Sequence, residues 1–290
     1  MEFTTRVDIP KQSIKLDYSS KILLLGSCFS TEIGAMLKDY RFDVMVNPFG
    51  VLYNPSSVAN SIEYLCTGKE FGQEDVIQTN PTDKTSACKY ASFSHHSSFA
   101  RTSAQEFLQN ANEQLKVASD FIKQADTVII TLGTSWVYRW KESGKIVSNC
   151  HKRVAQEFER QRLSVSEVVG NLRKIVELLS GKRVIFTVSP IRHFKDGAHQ
   201  NTISKATLLL AIEEVLSQHT PDKISYFPSY EIQMDELRDY RFYAEDMLHP
   251  SEVAVKYIFE KFKESFIAQS EYEQMRLNLK QTKKEGHIIK

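Results

Sequence analysis

Short apolar runs alternate with longer amphipathic stretches from residue 21 to residue 266, and this rhythm admits few architectures. KILLLG closes on Gly26 and leads into STEIGAMLKDY, where Ile33, Met36, Leu37 and Tyr40 share one helical face. Further apolar runs follow at 42–46, 127–132, 183–188 and 223–227, each four to six residues long and bounded by polar or turn residues. Helical periodicity fills the intervals: about 56–66, which Ser56 can cap, 103–123, 165–179, 201–218, and a last stretch through Val255, Ile258, Phe259, Phe262 and Phe266. Strands apolar on both faces and separated by helices belong to a parallel sheet covered on both sides. The expected fold is an α/β three-layer α/β/α sandwich with five parallel strands in the order 2-1-3-4-5. Two segments break the rhythm. Residues 68–101 are polar, and 136–151 read as a hairpin turning at Ser143-Gly144. Both are insertions at strand ends, so residues 1–270 are expected to form one domain, followed by a charged, loosely attached tail at 271–290.

Composition narrows the partners. Thirty-seven Lys+Arg against 36 Asp+Glu leave a charge of +1, too little for a face that grips many phosphates, so no nucleic acid is expected. The first 20 residues contain no uninterrupted apolar core, and no apolar run approaches the roughly 20 residues of a membrane span. No membrane association and a cytoplasmic location are therefore expected. Cys28, Cys66, Cys88 and Cys150 lie far apart without a Cys-x-x-Cys pair, which reads as reduced thiols.

Two places carry chemistry. Gly26-Ser27-Cys28-Phe29-Ser30 follows the first strand and opens a helix, whose unpaired N–H groups favour a thiolate at Cys28. On position alone a small buried cysteine in a tight turn is the more ordinary reading. Far along the chain, Asp246 precedes His249 by three residues, a spacing at which a carboxylate can hold imidazole Nδ1 and leave Nε2 as a base.

These blocks carry a resemblance. LLLGSCFSTEIG is similar to the first block of the SGNH/GDSL hydrolases, and DMLHPS is similar to their last, Asp-x-x-His-Pro. GSCFS at 26–30 resembles more closely the GSCFA family, as do TVSPIRH and NCHK, over about residues 20–265. The resemblance implies a flavodoxin-like, SGNH hydrolase-like sheet and an acyl hydrolase or esterase. It puts Cys28 on the nucleophile, His249 on the base and Asp246 on the orienting acid, with Ser27 as the alternative nucleophile one residue away. It implies an oxyanion hole from the Cys28 turn and Gly50. The Gly-x-Asn-Asp block after the third strand is replaced by Gly133-Thr134-Ser135-Trp136, so Ser135 or Asn149 has to supply the missing donor.

A thioester formed on cysteine passes readily to other acceptors, so acyl transfer from an acyl thioester stands beside hydrolysis, and a non-catalytic binding module on the same scaffold is the third reading. The implied partner is a small-molecule or carbohydrate acyl substrate, with His95, His96, His151, Arg192 and His193 as its contacts. His95, His96, Cys88, Cys150 and His151 are residue types zinc prefers but lack the close pairing of a structural site, so no metal and no cofactor are expected. Two expectations attach to the thiols. Cys28 should hold its thiolate well below the usual range, helped by a protonated His249, and Cys66, in an apolar helix, should react slowly if buried.

Overall fold

The computed structural model describes residues 4–79 and 88–288. Residues 80–87 of the first insertion and 289–290 of the tail lie outside them. In β1 (Lys21–Gly26), Ile22 to Leu25 are all fully buried, and alternation decides which way each points. Leu23 and Leu25 enter one core while Ile22 and Leu24 enter the other. The same split runs through β3 (Thr127–Leu132) and β4 (Arg183–Val188): Val128, Ile130, Val184 and Phe186 go to the first core, Ile129 and Ile185 to the second. With β2 (Asp43–Val46) and β5 (Ile224–Phe227) they form a five-stranded, wholly parallel sheet in the order 2-1-3-4-5 expected from the sequence.

Each face is closed by helices. Helices α2 (Pro55–Thr67), α3 (Ala104–Gln124), α4 (Val165–Leu178) and α5 (Gly197–Leu216) cover the first core. Helices α1 (Cys28–Asp39), α6 (Glu252–Phe266) and α7 (Tyr272–Ile288) cover the second. The cap of α2 is Asn54, whose side chain accepts from the Ser57 N–H, with Pro55 at the first helical position; Ser56 is already inside the helix.

The last helix corrects the expected tail. Residues from Tyr272 onward dock on the second face through Met275, which is 2% exposed, while Asn278 Nδ2 donates to Tyr18 Oη at 2.9 Å and Arg41 pairs with Glu285 at 2.7 Å. One buried side chain and a row of polar contacts leave no apolar stripe in the sequence, which is why the docking was not legible there.

The second insertion leaves the carboxyl end of β3; the first instead leaves the end of α2, where Cys66 meets Leu178 O at the end of α4, and returns to the Gly50 loop through His96. The first contains a short antiparallel pair, Ile77–Gln78 with Tyr90–Ala91. The second is the expected hairpin, Trp136–Trp140 with Ile146–Val147, but it continues into a third strand, Phe158–Arg162, that pairs along the other side of Trp136–Trp140. That strand is short and polar, FERQR, and carries no apolar alternation to announce it. Among the described residues no helix is long and apolar enough to cross a membrane.

Candidate active site

The site is assembled on loops that leave the carboxyl ends of the strands, the place where open α/β sheets bind ligands. Its first element is the turn after β1. Gly26 sits at φ +130°, and a side chain there would meet the Thr131 carbonyl at 2.1 Å, so only glycine lets β3 run alongside. The Ser27 N–H then bonds Thr131 O at 3.1 Å and the chain turns directly into α1, with Ser27 as N-cap and Cys28 as first helical residue. Ser27 is 1% exposed and its Oγ has no partner among the described residues. Cys28 is half-buried, its sulfur facing its own N–H and that of Phe29.

The expected acidic thiol is not what this environment produces. Burial is the largest influence on Cys28 and pushes its pKa up, with Glu32 adding to it, against the two helix N–H groups and Lys205, which pull it down. Desolvation outweighs the helix N-terminus because the sulfur sits in the crevice wall rather than in water. Cys66 is exposed, so the burial on which its slow reaction depends is not met, and its thiol contacts Leu178 O at 3.6 Å.

The second element is the loop before α6. His249 Nδ1 and Asp246 Oδ2 are 2.5 Å apart, and Asp246 Oδ1 also accepts the N–H groups of Leu248 and His249, each at 2.9 Å. The two N–H groups first, and then the imidazole, hold the Asp246 carboxyl down to about 2, so it is ionised and fixes the ring. Met247 takes the left-handed conformation, φ +59°, to close this turn. Among the described residues no hydrogen bond joins Cys28 to His249. The two are linked through a third pair: His193 meets the His249 ring at 6.1 Å and the Tyr53 ring at 5.8 Å, both edge-on, and the Tyr53 phenol is raised by burial and by the nearby Cys28. His193 is held low by burial, then by Lys205 and His249, and so is neutral.

The residues expected to bind an oxyanion are placed differently. Gly50 has φ +74° and packs against His96, but its N–H donates to Asn47 O at 2.7 Å and is already used. Ser135 is buried, and both its N–H and its hydroxyl bond Ser204 Oγ, at 2.8 and 3.1 Å. Asn149 accepts the His151 N–H with its side-chain Oδ1 at 2.8 Å. The Cys28 N–H is the member of the expected set that the turn leaves at an open helix end.

Among the expected substrate contacts, His193 stands between the Tyr53 and His249 rings, and Arg192 anchors the loop after β4 to Asn201 and Thr202 of α5 at 3.3 and 3.2 Å. His96 lies beside Gly50, half-buried. His95 and His151 point elsewhere. His95 is 1% exposed, packed among Phe49, Phe71, Phe99 and Phe107, with Nδ1 on Ser92 Oγ at 2.7 Å, and burial drives its pKa down to about 3. His151 is buried too, with Nε2 at 2.7 Å from Ser92 O. Both are pieces of the first insertion's packing and are withdrawn as substrate contacts. Among the described residues no group of three or more His, Cys, Asp or Glu side chains is arranged to hold a metal ion.

Sequence reasoning missed Lys205, which is 1% exposed with Nζ on Gly133 O at 2.8 Å and on Ser189 O at 2.7 Å. The signal was available: Lys205 shares a helical face with Leu208, Ile212 and Val215, and a lysine on an apolar face calls for a partner. A separate groove of about 960 Å³ runs between α2 and the hairpin, past Asn60, Tyr64, Trp140 and Asn171, and contains neither Cys28 nor His249.

Among solved structures the chain is similar to a carbohydrate esterase of family 3 from Talaromyces cellulolyticus, at 8% identity over 84% of this chain and 94% of that one, with a TM-score of 0.40. It is similar also to an acetyl xylan esterase from the rumen bacterium Butyrivibrio proteoclasticus, at 12% identity over 91% of this chain and 65% of that one, TM-score 0.40. No curated protein sequence matches. The model of the GSCFA family matches residues 21–262, from the first residue of β1 into α6, and the chain belongs to that family.

Proposed function

We propose that this protein is an acyl hydrolase of the esterase type that works through Cys28. The observations that support the reading are a half-buried thiol on the open end of α1 and an imidazole oriented by an ionised carboxylate, with His193 and Tyr53 between them. In this reading His249 takes the thiol proton and the sulfur attacks the acyl carbonyl. The developing oxyanion lies at the Cys28 N–H, at the positive end of α1. Collapse breaks the ester bond, the leaving alkoxide takes the proton back from His249, and a thioester remains on Cys28. Water, deprotonated by His249, then releases the acid and restores the thiol. The raised thiol makes the base necessary, because little thiolate is present before the proton is taken.

An acylated carbohydrate is the substrate class we assign, on the resemblance of the GSCFS and DMLHPS blocks to the SGNH hydrolases. Acyl transfer differs only in replacing water by another nucleophile. The non-catalytic reading draws support from Gly50 and Ser135, whose donors are both occupied.

The test is hydrolysis of p-nitrophenyl acetate and of an acetylated oligosaccharide, with mass spectrometry of the enzyme quenched during turnover. The expected result is an acetyl adduct on Cys28 and loss of turnover by a factor of about 10³ or more in Cys28→Ala. Turnover that survives in that variant, or an adduct on Ser27, rejects the nucleophile. Absence of turnover in the wild type on every ester and thioester favours the binding module.

A further inference from the structure

A tetrahedral oxyanion is stabilised by donors fixed in place beforehand, and the Cys28 N–H supplies one. At the end of β3 the backbone donors are already used. The N–H groups of Gly133 and Thr134 both donate to Tyr53 O, at 2.7 and 3.0 Å, and the Ser135 N–H donates to Ser204 Oγ at 2.8 Å. The residue that accepts two of them brings its own side chain to the same place. Tyr53 follows β2, and the Leu52 N–H before it donates to Gly26 O at 2.8 Å, so this loop lies against the turn that carries Cys28. The Tyr53 ring packs on Gly133, where an added methyl would meet Cδ1 at 3.3 Å and Cβ at 3.4 Å. It also meets the His193 ring edge-on at 5.8 Å, and His193 meets His249 in turn. Tyr53 therefore stands between the turn of the nucleophile and the loop of the base, held by its carbonyl, by Gly133 and by His193. A partly buried phenol ordinarily finds a partner, yet the Tyr53 hydroxyl has none among the described residues. Burial first, and then Cys28, raise its pKa, so at neutral pH it keeps its proton and is a donor.

We propose that Tyr53 is a catalytic residue whose hydroxyl is the second oxyanion donor, taking the part that the asparagine missing after β3 would play. The proposal rests on the acyl-hydrolase reading and extends it. As the bond from sulfur to the acyl carbon forms, the carbonyl π pair moves onto oxygen, and the Tyr53 O–H and the Cys28 N–H both donate to it. The phenol keeps its proton throughout. When the pair returns to carbon and the alkoxide leaves, both hydrogen bonds loosen, and the same two donors serve again when water attacks the thioester. A hydroxyl on a ring already held from three directions has little reorganisation left to undergo at the moment of reaction.

The experiment compares two reactions of one thiol. Labelling of Cys28 by iodoacetamide, read by peptide mass spectrometry, forms no oxyanion, whereas acylation by p-nitrophenyl acetate does. Tyr53→Phe keeps the ring on Gly133 and His193 and removes only the hydroxyl. In that variant kcat/KM for the ester is expected to fall about a hundredfold, while the Cys28 labelling rate stays within about twofold of wild type. A trifluoromethyl ketone, which adds to the thiol as an oxyanion, should bind more weakly by a similar factor. A second measurement needs no variant. In wild-type protein carrying 13C at the tyrosine ring carbon that bears oxygen, formation of the ketone adduct should shift one tyrosine signal. Turnover by Tyr53→Phe within about threefold of wild type overturns the inference and leaves the nucleophile in place. So does a labelling rate that falls as far as turnover, or an adduct that shifts no tyrosine signal. Absence of turnover in the wild type on every ester rejects the proposed function, and the inference with it.

Discussion

The histidines of the first insertion and those of the crevice have the same residue type and opposite surroundings. His95 sits inside four phenylalanine rings with its pKa driven to about 3, whereas the His249 side chain is 43% exposed and bound to an ionised carboxylate. What separates them is solvent. Burial without a counter-charge locks an imidazole neutral and makes it a packing element, while an accessible imidazole fixed at Nδ1 keeps its other nitrogen free for proton transfer. Only the second kind suits a general base.

Acid tests this contrast most strongly. In the unfolded chain His95 takes up a proton near pH 6.5, but in the folded protein it does so only near 3. Between those values the unfolded state binds more protons, so stability is fully present above about 6.5 and falls as pH drops, by about 1.4 kcal/mol per unit for this group and on the order of 5 kcal/mol in all. His151, also lowered by burial, acts in the same direction. Urea denaturation at pH 7.5, 6 and 4.5 should show this slope. His95→Gln should flatten it and His249→Ala should not. An equal slope in both variants would erase the distinction between the two sites.

Truncation separates the two histidines next. His95→Ala opens a hole among four aromatic rings and is expected to cost about 2–4 kcal/mol, read as a lower denaturation midpoint, with the Cys28 labelling rate unchanged in the protein that remains folded. His249→Ala removes a partly exposed side chain and should stay within about 0.5 kcal/mol in stability, while kcat/KM for the ester falls by about 10²–10⁴. If His249→Ala unfolds the protein or spares turnover, the assignment of base fails.

How much of this was legible follows from which signals are local in the chain. The strands could be read because the three central ones, β1, β3 and β4, are apolar on both faces, as Ile22 to Leu25 announce without help, and β2 and β5 follow the same alternation with helices. The turn at Cys28 and the pair Asp246–His249 could be read because each depends on neighbours within four positions. The roles of His95, Ser135 and Gly50 could not, since they depend on partners or turns the sequence pattern does not mark: Phe107 of α3, Ser204 of α5, and a local turn that uses the Gly50 N–H on Asn47. The direction of the Cys28 shift was misjudged for a related reason. A helix N-terminus is visible in sequence, but the depth at which its first residue lies is not.

A finer distinction separates two adjacent residues. Ser27 and Cys28 share a turn, and a shift of one position in the reading of GSCFS would make the serine the nucleophile. Ser27, however, is 1% exposed, and its hydroxyl has no hydrogen-bond partner among the described residues, neither an activating base nor an acceptor. A buried hydroxyl without a partner has lost its hydration and gained nothing in return. Ser27→Ala removes that group and keeps the backbone N–H that bonds Thr131 O, so the turn survives. The expected change is within about 0.5 kcal/mol, neutral or slightly stabilising, with Cys28 labelling and ester turnover within about twofold of wild type. A loss of turnover in Ser27→Ala with Cys28 labelling intact would move the nucleophile to Ser27. It would also require the helix to open far enough to expose that hydroxyl, which hydrogen exchange at the Cys28 and Phe29 amides would detect.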